Sequence, residues 1–119
     1  MRDYKKFTVW EKSHNLTLQI YNATTKYPKE EIFGLTSQMK RSSSSIPTNI
    51  AEGCGRNSDK DFCRFLYFAF GSANELEYQL LLSIDLKFIG NEEGQKLLFQ
   101  TEEIKKMLNG LITKLNANS

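Results

Sequence analysis

Apolar positions recur at alternating four- and three-residue steps along almost the whole 119-residue chain. Steps of that size keep side chains on one face of a helix, because 3.6 residues complete a turn. In the first segment Val9, Ser13, Leu16, Ile20, Ala23 and Tyr27 form such a stripe. Pro28 ends it by pushing the residue before it out of the helical region. The second stripe runs Leu35, Met39, Ser42, Ile46, Ile50 and Gly53, and stops at the Gly53-Cys54-Gly55 turn. The third opens at Ser58, with Asp61 where a capping box usually has glutamate. It continues through Phe62, Phe65, Ala69, Ala73, Leu76, Leu80, Ile84 and Phe88 to Gly90. Asn91 is placed to cap a fourth helix, where Glu92 and Glu93 suit the positive end of the dipole. Leu97, Thr101, Ile104, Leu108, Leu111 and Leu115 carry its stripe. No alternating strand pattern competes. The pattern predicts one all-α domain over residues 1–119, an antiparallel up-and-down four-helix bundle.

Two places depart from a plain bundle. The serine tract Ser42 to Ser45 precedes Pro47, which removes a backbone donor and clashes with the carbonyl of Ser43. A serine linker between two short helices is one reading. The apolar phase nevertheless holds from Leu35 to Ile50, and serine hydroxyls bond carbonyls one turn back, so a helix kinked at Pro47 is favoured. In the third helix, Phe62, Phe65, Leu66, Tyr67, Phe68, Ala69 and Phe70 wrap most of the axis. A bundle helix needs one buried stripe, so a second apolar side predicts a homo-oligomer with Phe65, Tyr67, Phe68 and Phe70 at its interface.

Composition narrows the chemistry. One His and two Cys exclude the familiar metal sites, and Cys54 with Cys63 make no disulfide framework, which suits a reducing, cytoplasmic compartment. The densest apolar run, Phe65 to Phe70, is far too short to cross a bilayer, so no membrane role is expected. Glu11 and His14 form one E-x-x-H pair, where a di-iron bundle needs two plus further glutamates, so His14 reads as a surface residue. Cys63 reads as a small buried hydrophobe. Gly53-Cys54-Gly55-Arg56 lacks the length and lysine of a phosphate loop and reads as a turn. Arg41, Ser45, Asn49 and Glu52 lie on or near one helical face, and Gly71 with Ser72 permits close approach of a helix that carries Glu75. These polar residues are expected to form a structural network. Glu52 and Glu75 as an acid and base pair is the lesser reading. No nucleophile with a credible base is present, so neither catalysis nor a cofactor is expected.

The net charge of +2 is too small to announce a nucleic-acid binder by itself, but it is unevenly spread. Residues 1–64 hold 11 basic and 7 acidic side chains, whereas residues 65–119 hold 5 and 7. Lys40, Arg56, Lys60 and Arg64 are the phosphate-contact candidates, and a ring of subunits would multiply their patch.

Gly34-Leu35-Thr36-Ser37-Gln38-Met39-Lys40-Arg41, followed by Ser45-Ile46-Pro47-Thr48-Asn49-Ile50-Ala51-Glu52-Gly53, resembles the signature of the four-helix-bundle proteins encoded in intervening sequences of bacterial 23S rRNA genes. Val9-Trp10, Tyr27-Pro28, Phe65-Leu66, Ala69, Gly71-Ser72 and Glu75-Leu76-Glu77 fit the same pattern, over about residues 7 to 115. The fold is shared more distantly with the accessory variability protein of diversity-generating retroelements. The resemblance implies a homopentamer. In the retroelement relative it also implies a central channel and a strongly basic surface that binds nucleic acid and reverse transcriptase. For the intervening-sequence family it names no activity. The expectation is therefore a non-enzymatic accessory protein associated with RNA or DNA. The alternative is an oligomeric scaffold for a protein partner.

Overall fold

The computed structural model describes residues 2–117. Four helices follow in order, α1 (Thr8–Thr24), α2 (Leu35–Cys54), α3 (Asp59–Asp85) and α4 (Asn91–Ala117). Short 3-10 turns at Tyr4–Lys6 and Lys29–Glu31 precede α1 and α2. There is no strand among the described residues.

Side-chain pairs between helices fix their directions. Thr17 meets Ser43 while Tyr21 meets Lys40, so α1 and α2 are antiparallel. Ser72 bonds Ser45 and Gln79 bonds Ser42, which reverses α3 on α2. Lys105 pairs with Glu77 and Cys63 reaches Asn116, reversing α4 on α3. Lys12–Glu103 and the reciprocal Gln19–Gln100 amide pair close the ring between α4 and α1. Each helix therefore packs on two neighbours around one core, in a body 46 × 22 × 19 Å.

The core is the set of stripes read from the spacing. Leu16, Ile20, Met39, Ile46, Ile50, Leu66, Leu76, Leu80 and Leu108 are fully buried. Burying each such side chain contributes roughly 1.5–3 kcal/mol before entropy is counted. Some edges differ from expectation. α1 ends at Thr24, and Tyr27 packs on Phe88 from the following turn, with ring centroids 5.6 Å apart. α3 ends at Asp85 in a Schellman motif, where Lys87 (φ 63°) holds the left-handed position that usually takes glycine. Phe88 therefore lies in the connection rather than on the helix. Asn91 is already helical, and it is the Gly90 carbonyl that accepts from the Gly94 N–H. On α4 it is Ile112 that is buried, with Leu111 and Leu115 half-buried at the margin.

The α2 helix runs unbroken through Pro47, which is buried, so the serine tract is helical. Proline at 47 has no N–H, and the carbonyl it would have bonded, that of Ser43, loses its partner inside the helix. The Thr17 hydroxyl of α1 lies 2.9 Å from that carbonyl. The same hydroxyl is also 2.9 Å from the Ser13 carbonyl, yet it has a single proton. Ser13 lies one turn back in α1 and already accepts the Thr17 backbone N–H, whereas Ser43 has lost its donor, so the balance of donors and acceptors favours Ser43. Ser43 and Thr17 are both buried, and an unpaired carbonyl there would cost about 1–3 kcal/mol. In urea unfolding, Thr17→Val should destabilise the protein by about that amount. In a Pro47→Ala background, where residue 47 regains its N–H, the same substitution should cost less than half as much. Equal costs in both backgrounds would show that the two residues are not coupled.

Candidate nucleic-acid interface

Three of the four predicted phosphate contacts gather where α2 hands over to α3. The α2 helix closes with the Gly55 and Arg56 amides donating to the carbonyls of Glu52 and Gly53. Ser58 then caps α3, its hydroxyl accepting from the Asp61 N–H at 3.1 Å. The two helices approach closely because residue 53 has no side chain. A Cβ there would stand 2.9 Å from both the Phe65 Cβ and a Phe62 ring carbon. Gly71, expected to serve this purpose, faces open space instead.

The turn lines a cleft of about 960 Å³, whose other walls are Cys63, Arg64 and Tyr67 of α3 with Leu115 and Asn116 of α4. Asp61 is its organising carboxylate. It accepts from Arg64 Nε at 2.9 Å and lies 3.6 Å from Arg56 Nε. Both guanidiniums also lie on the Phe65 ring, 4.6 and 4.7 Å from its centroid. Arg2 adds an ion pair with Asp59 and sits 4.4 Å over the Phe62 ring. Lys60 is exposed and makes no ion pair among the described residues. Lys40 stands apart, with its ammonium 5.2 Å over the Tyr21 ring on the α1–α2 face. Helical rise puts Lys40 about 21 Å along the axis from Cys54, where α2 ends just before Arg56.

The bundle is polarised along its length. The end built from residues 2–7 and 55–64 carries Arg2, Lys5, Lys6, Arg56, Lys60 and Arg64 against Asp3, Asp59 and Asp61. The opposite end, residues 25–34 and 85–93, carries Lys26, Lys29 and Lys87 against Glu30, Glu31, Asp85, Glu92 and Glu93.

The expected polar network divides. Asn49 Nδ2 donates to the Ser45 carbonyl and hydroxyl, at 2.8 and 2.9 Å, and Ser72 bonds Ser45 across the helix interface. Glu75 joins a second group, accepting from Gln79 Nε2, while the Ser42 hydroxyl donates to Gln79 Oε1 at 2.6 Å. Arg41 and Glu52 are exposed, and neither side chain enters either group. Of the expected interface residues, Tyr67 and Phe68 are about half exposed, at 55% and 48%. Phe65 is already buried beneath its two arginines, and Phe70 is half-buried against the core with Lys105 over its ring. Cys54 and Cys63 are free and buried, and desolvation pushes both thiols above the ordinary cysteine range. Among the described residues no group of His, Cys, Asp or Glu is arranged to hold a metal ion, and no helix is long and apolar enough to cross a membrane.

A family profile described as the 23S rRNA-intervening sequence protein matches residues 5–110, from the Lys5 turn to deep in α4. The chain belongs to that family. A solved structure from Bacteroides thetaiotaomicron, described as a protein of unknown function from the S23 ribosomal protein family, is similar at 31% identity. It covers 88% of this chain and 98% of its own, with a TM-score of 0.80. Among curated proteins none matches.

Two features of this intervening-sequence protein escaped sequence reasoning. Asp61 is expected both as a cap residue and as a dilution of the basic patch, and what the structure adds is its pairing with Arg56 and Arg64 together. Its spacing to Arg64, three residues on a helix, was the available signal. The Tyr4–Trp10–His14 aromatic row gave no signal beyond its spacing. The close approach at residue 53 carries its own test: Gly53→Ala should lower stability by about 1–3 kcal/mol through overpacking. Far-ultraviolet circular dichroism should stay unchanged, whereas a neutral substitution would mean that α2 and α3 can part without cost.

Proposed function

We propose that this intervening-sequence protein is a non-enzymatic, cytoplasmic, homo-oligomeric accessory protein that associates with RNA or another nucleic acid through the basic end of its bundle. The observation that carries the reading is the lengthwise polarity, with basic side chains in excess around the α2–α3 turn and acidic ones in excess at the other end. A polyanion is attracted to one end and repelled by the other, and it approaches in a defined orientation. Arg56, Lys60 and Arg64 are the contacts at that end. Asp61 acts as a brake, because a phosphate must compete with it for Arg56 and Arg64. Lys40 serves only a ligand that extends along the α1–α2 face. The family's description and the ribosomal family of its structural neighbour both suit an RNA context.

Assembly is part of the proposal. Tyr67 and Phe68 expose apolar area on α3, and a pentamer, which the family resemblance implies, would repeat the basic end around a ring. A protein-scaffold role is favoured by one observation at the opposite end, where Phe33 is 97% exposed beside the exposed Ile32, with Leu86 also exposed in the α3–α4 connection.

Two experiments separate these elements. In salt-titrated RNA binding, joint reversal of Arg56, Lys60 and Arg64 to glutamate should abolish affinity, whereas Asp61→Asn should raise it several-fold. Both variants leaving affinity unchanged would remove this end from the interface. By light scattering, Tyr67→Glu or Phe68→Glu should dissociate the assembly while the helical signal persists. A wild-type monomer at micromolar concentration would defeat the oligomer reading.

A further inference from the structure

Three rings stand in a row on the outer side of α1 and the turn before it. Trp10 and His14, one helical turn apart, are stacked with centroids 5.2 Å apart and planes only 6° from parallel. Tyr4 meets Trp10 edge-on at 4.9 Å and 66°. The row is held from below, since Trp10 and Tyr4 are half-buried against the core. It is also held at its start, where the Asp3 carboxylate accepts the Lys5 N–H and caps the turn. His14 is exposed, with one ring face on Trp10. Lys5 and Lys6 are exposed on the turn that carries Tyr4, and neither pairs with a carboxylate among the described residues. The Lys5 ammonium lies 5.7 Å over Tyr4. The arginines of the α2–α3 turn, by contrast, share Asp61.

We infer that Tyr4, Trp10 and His14, with Lys5 and Lys6, form a base-stacking platform for single-stranded nucleic acid. The inference rests on the nucleic-acid reading above and adds to it a second contact surface and the strand state that surface accepts. A planar base extends the pile by lying on the side of His14 away from Trp10, and adjacent phosphates meet the two unpaired ammonium groups. A duplex keeps its bases stacked on one another and offers no open face to the platform. An acidic peptide would satisfy the lysines but leave the ring row without a complement. The platform is already ordered by the core beneath it, so little side-chain entropy is lost when a base arrives.

Trp10 is the sole tryptophan of the chain, so its emission reports the platform directly. The intact protein is titrated with a short oligoadenylate, with a duplex of equal length and with polyglutamate. Trp10 emission and the anisotropy of a labelled strand are followed together. The single strand should quench Trp10 in step with the anisotropy rise, and the duplex should not. The exposed-site variant His14→Ala should weaken single-strand binding about fivefold to tenfold. Anisotropy binding with Trp10 unmoved and His14→Ala neutral overturns the platform while leaving the basic bundle end in place. Equal quenching by the duplex overturns the single-strand assignment. Equal quenching by polyglutamate assigns the surface to a protein ligand and overturns it too. No binding by any nucleic acid overturns the platform and the broader reading together.

Discussion

The hydroxyl of Thr17 lets a helix contain a buried proline. Without a donor from outside, the Ser43 carbonyl would be stranded in the core and α2 would gain by breaking there. With the donor supplied by α1, α2 runs through Pro47 to Cys54 in one piece, and α1 is pinned to α2 at a single register. The bond joins a local defect to a tertiary contact, so α2 does not satisfy its backbone alone.

What lies beyond Pro47 depends on that continuity. The Ile50 and Gly53 positions keep phase with Met39 and Ile46, which brings Gly53 against Phe62 and Phe65. That close approach positions the α2–α3 turn, and the turn carries Arg56 to the same carboxylate that Arg64 reaches from α3. The amino-terminal segment closes over the same end, with the Arg2 N–H on the Cys54 carbonyl and Phe7 edge-on to Phe62. The basic turn and the aromatic row of α1 thereby lie at one end of the bundle. A broken α2 would separate the two.

The helices, their order and nearly all core positions were legible in the spacing of apolar residues, because a stripe that must face a core leaves a period in the sequence. The Ser58 cap was legible for a related reason, since capping acts over three residues. Helix ends were less so. Asn91 and Lys87 occupy positions whose usual residue types point elsewhere. The site was half legible. Lys40 and Arg56 look alike as basic residues, and only folding places them at different ends of α2. Arg41 and Glu52 lie on or near the face that carries Ser45, yet both are exposed while Ser45 meets α3, which spacing within one helix cannot reveal. The partner of Ser43 lies twenty-six residues away. Pro47 announces that some donor is needed, and nothing local says which.

The continuity of α2 turns on where the Thr17 proton goes, and the hydroxyl proton itself can be observed. In nuclear magnetic resonance spectra of the intact protein, that proton should exchange slowly with water. It should also show cross-relaxation to protons of Ser43 and Pro47 on the facing helix. A rapidly exchanging hydroxyl, or one whose contacts stay within α1 around Ser13, would contradict the account.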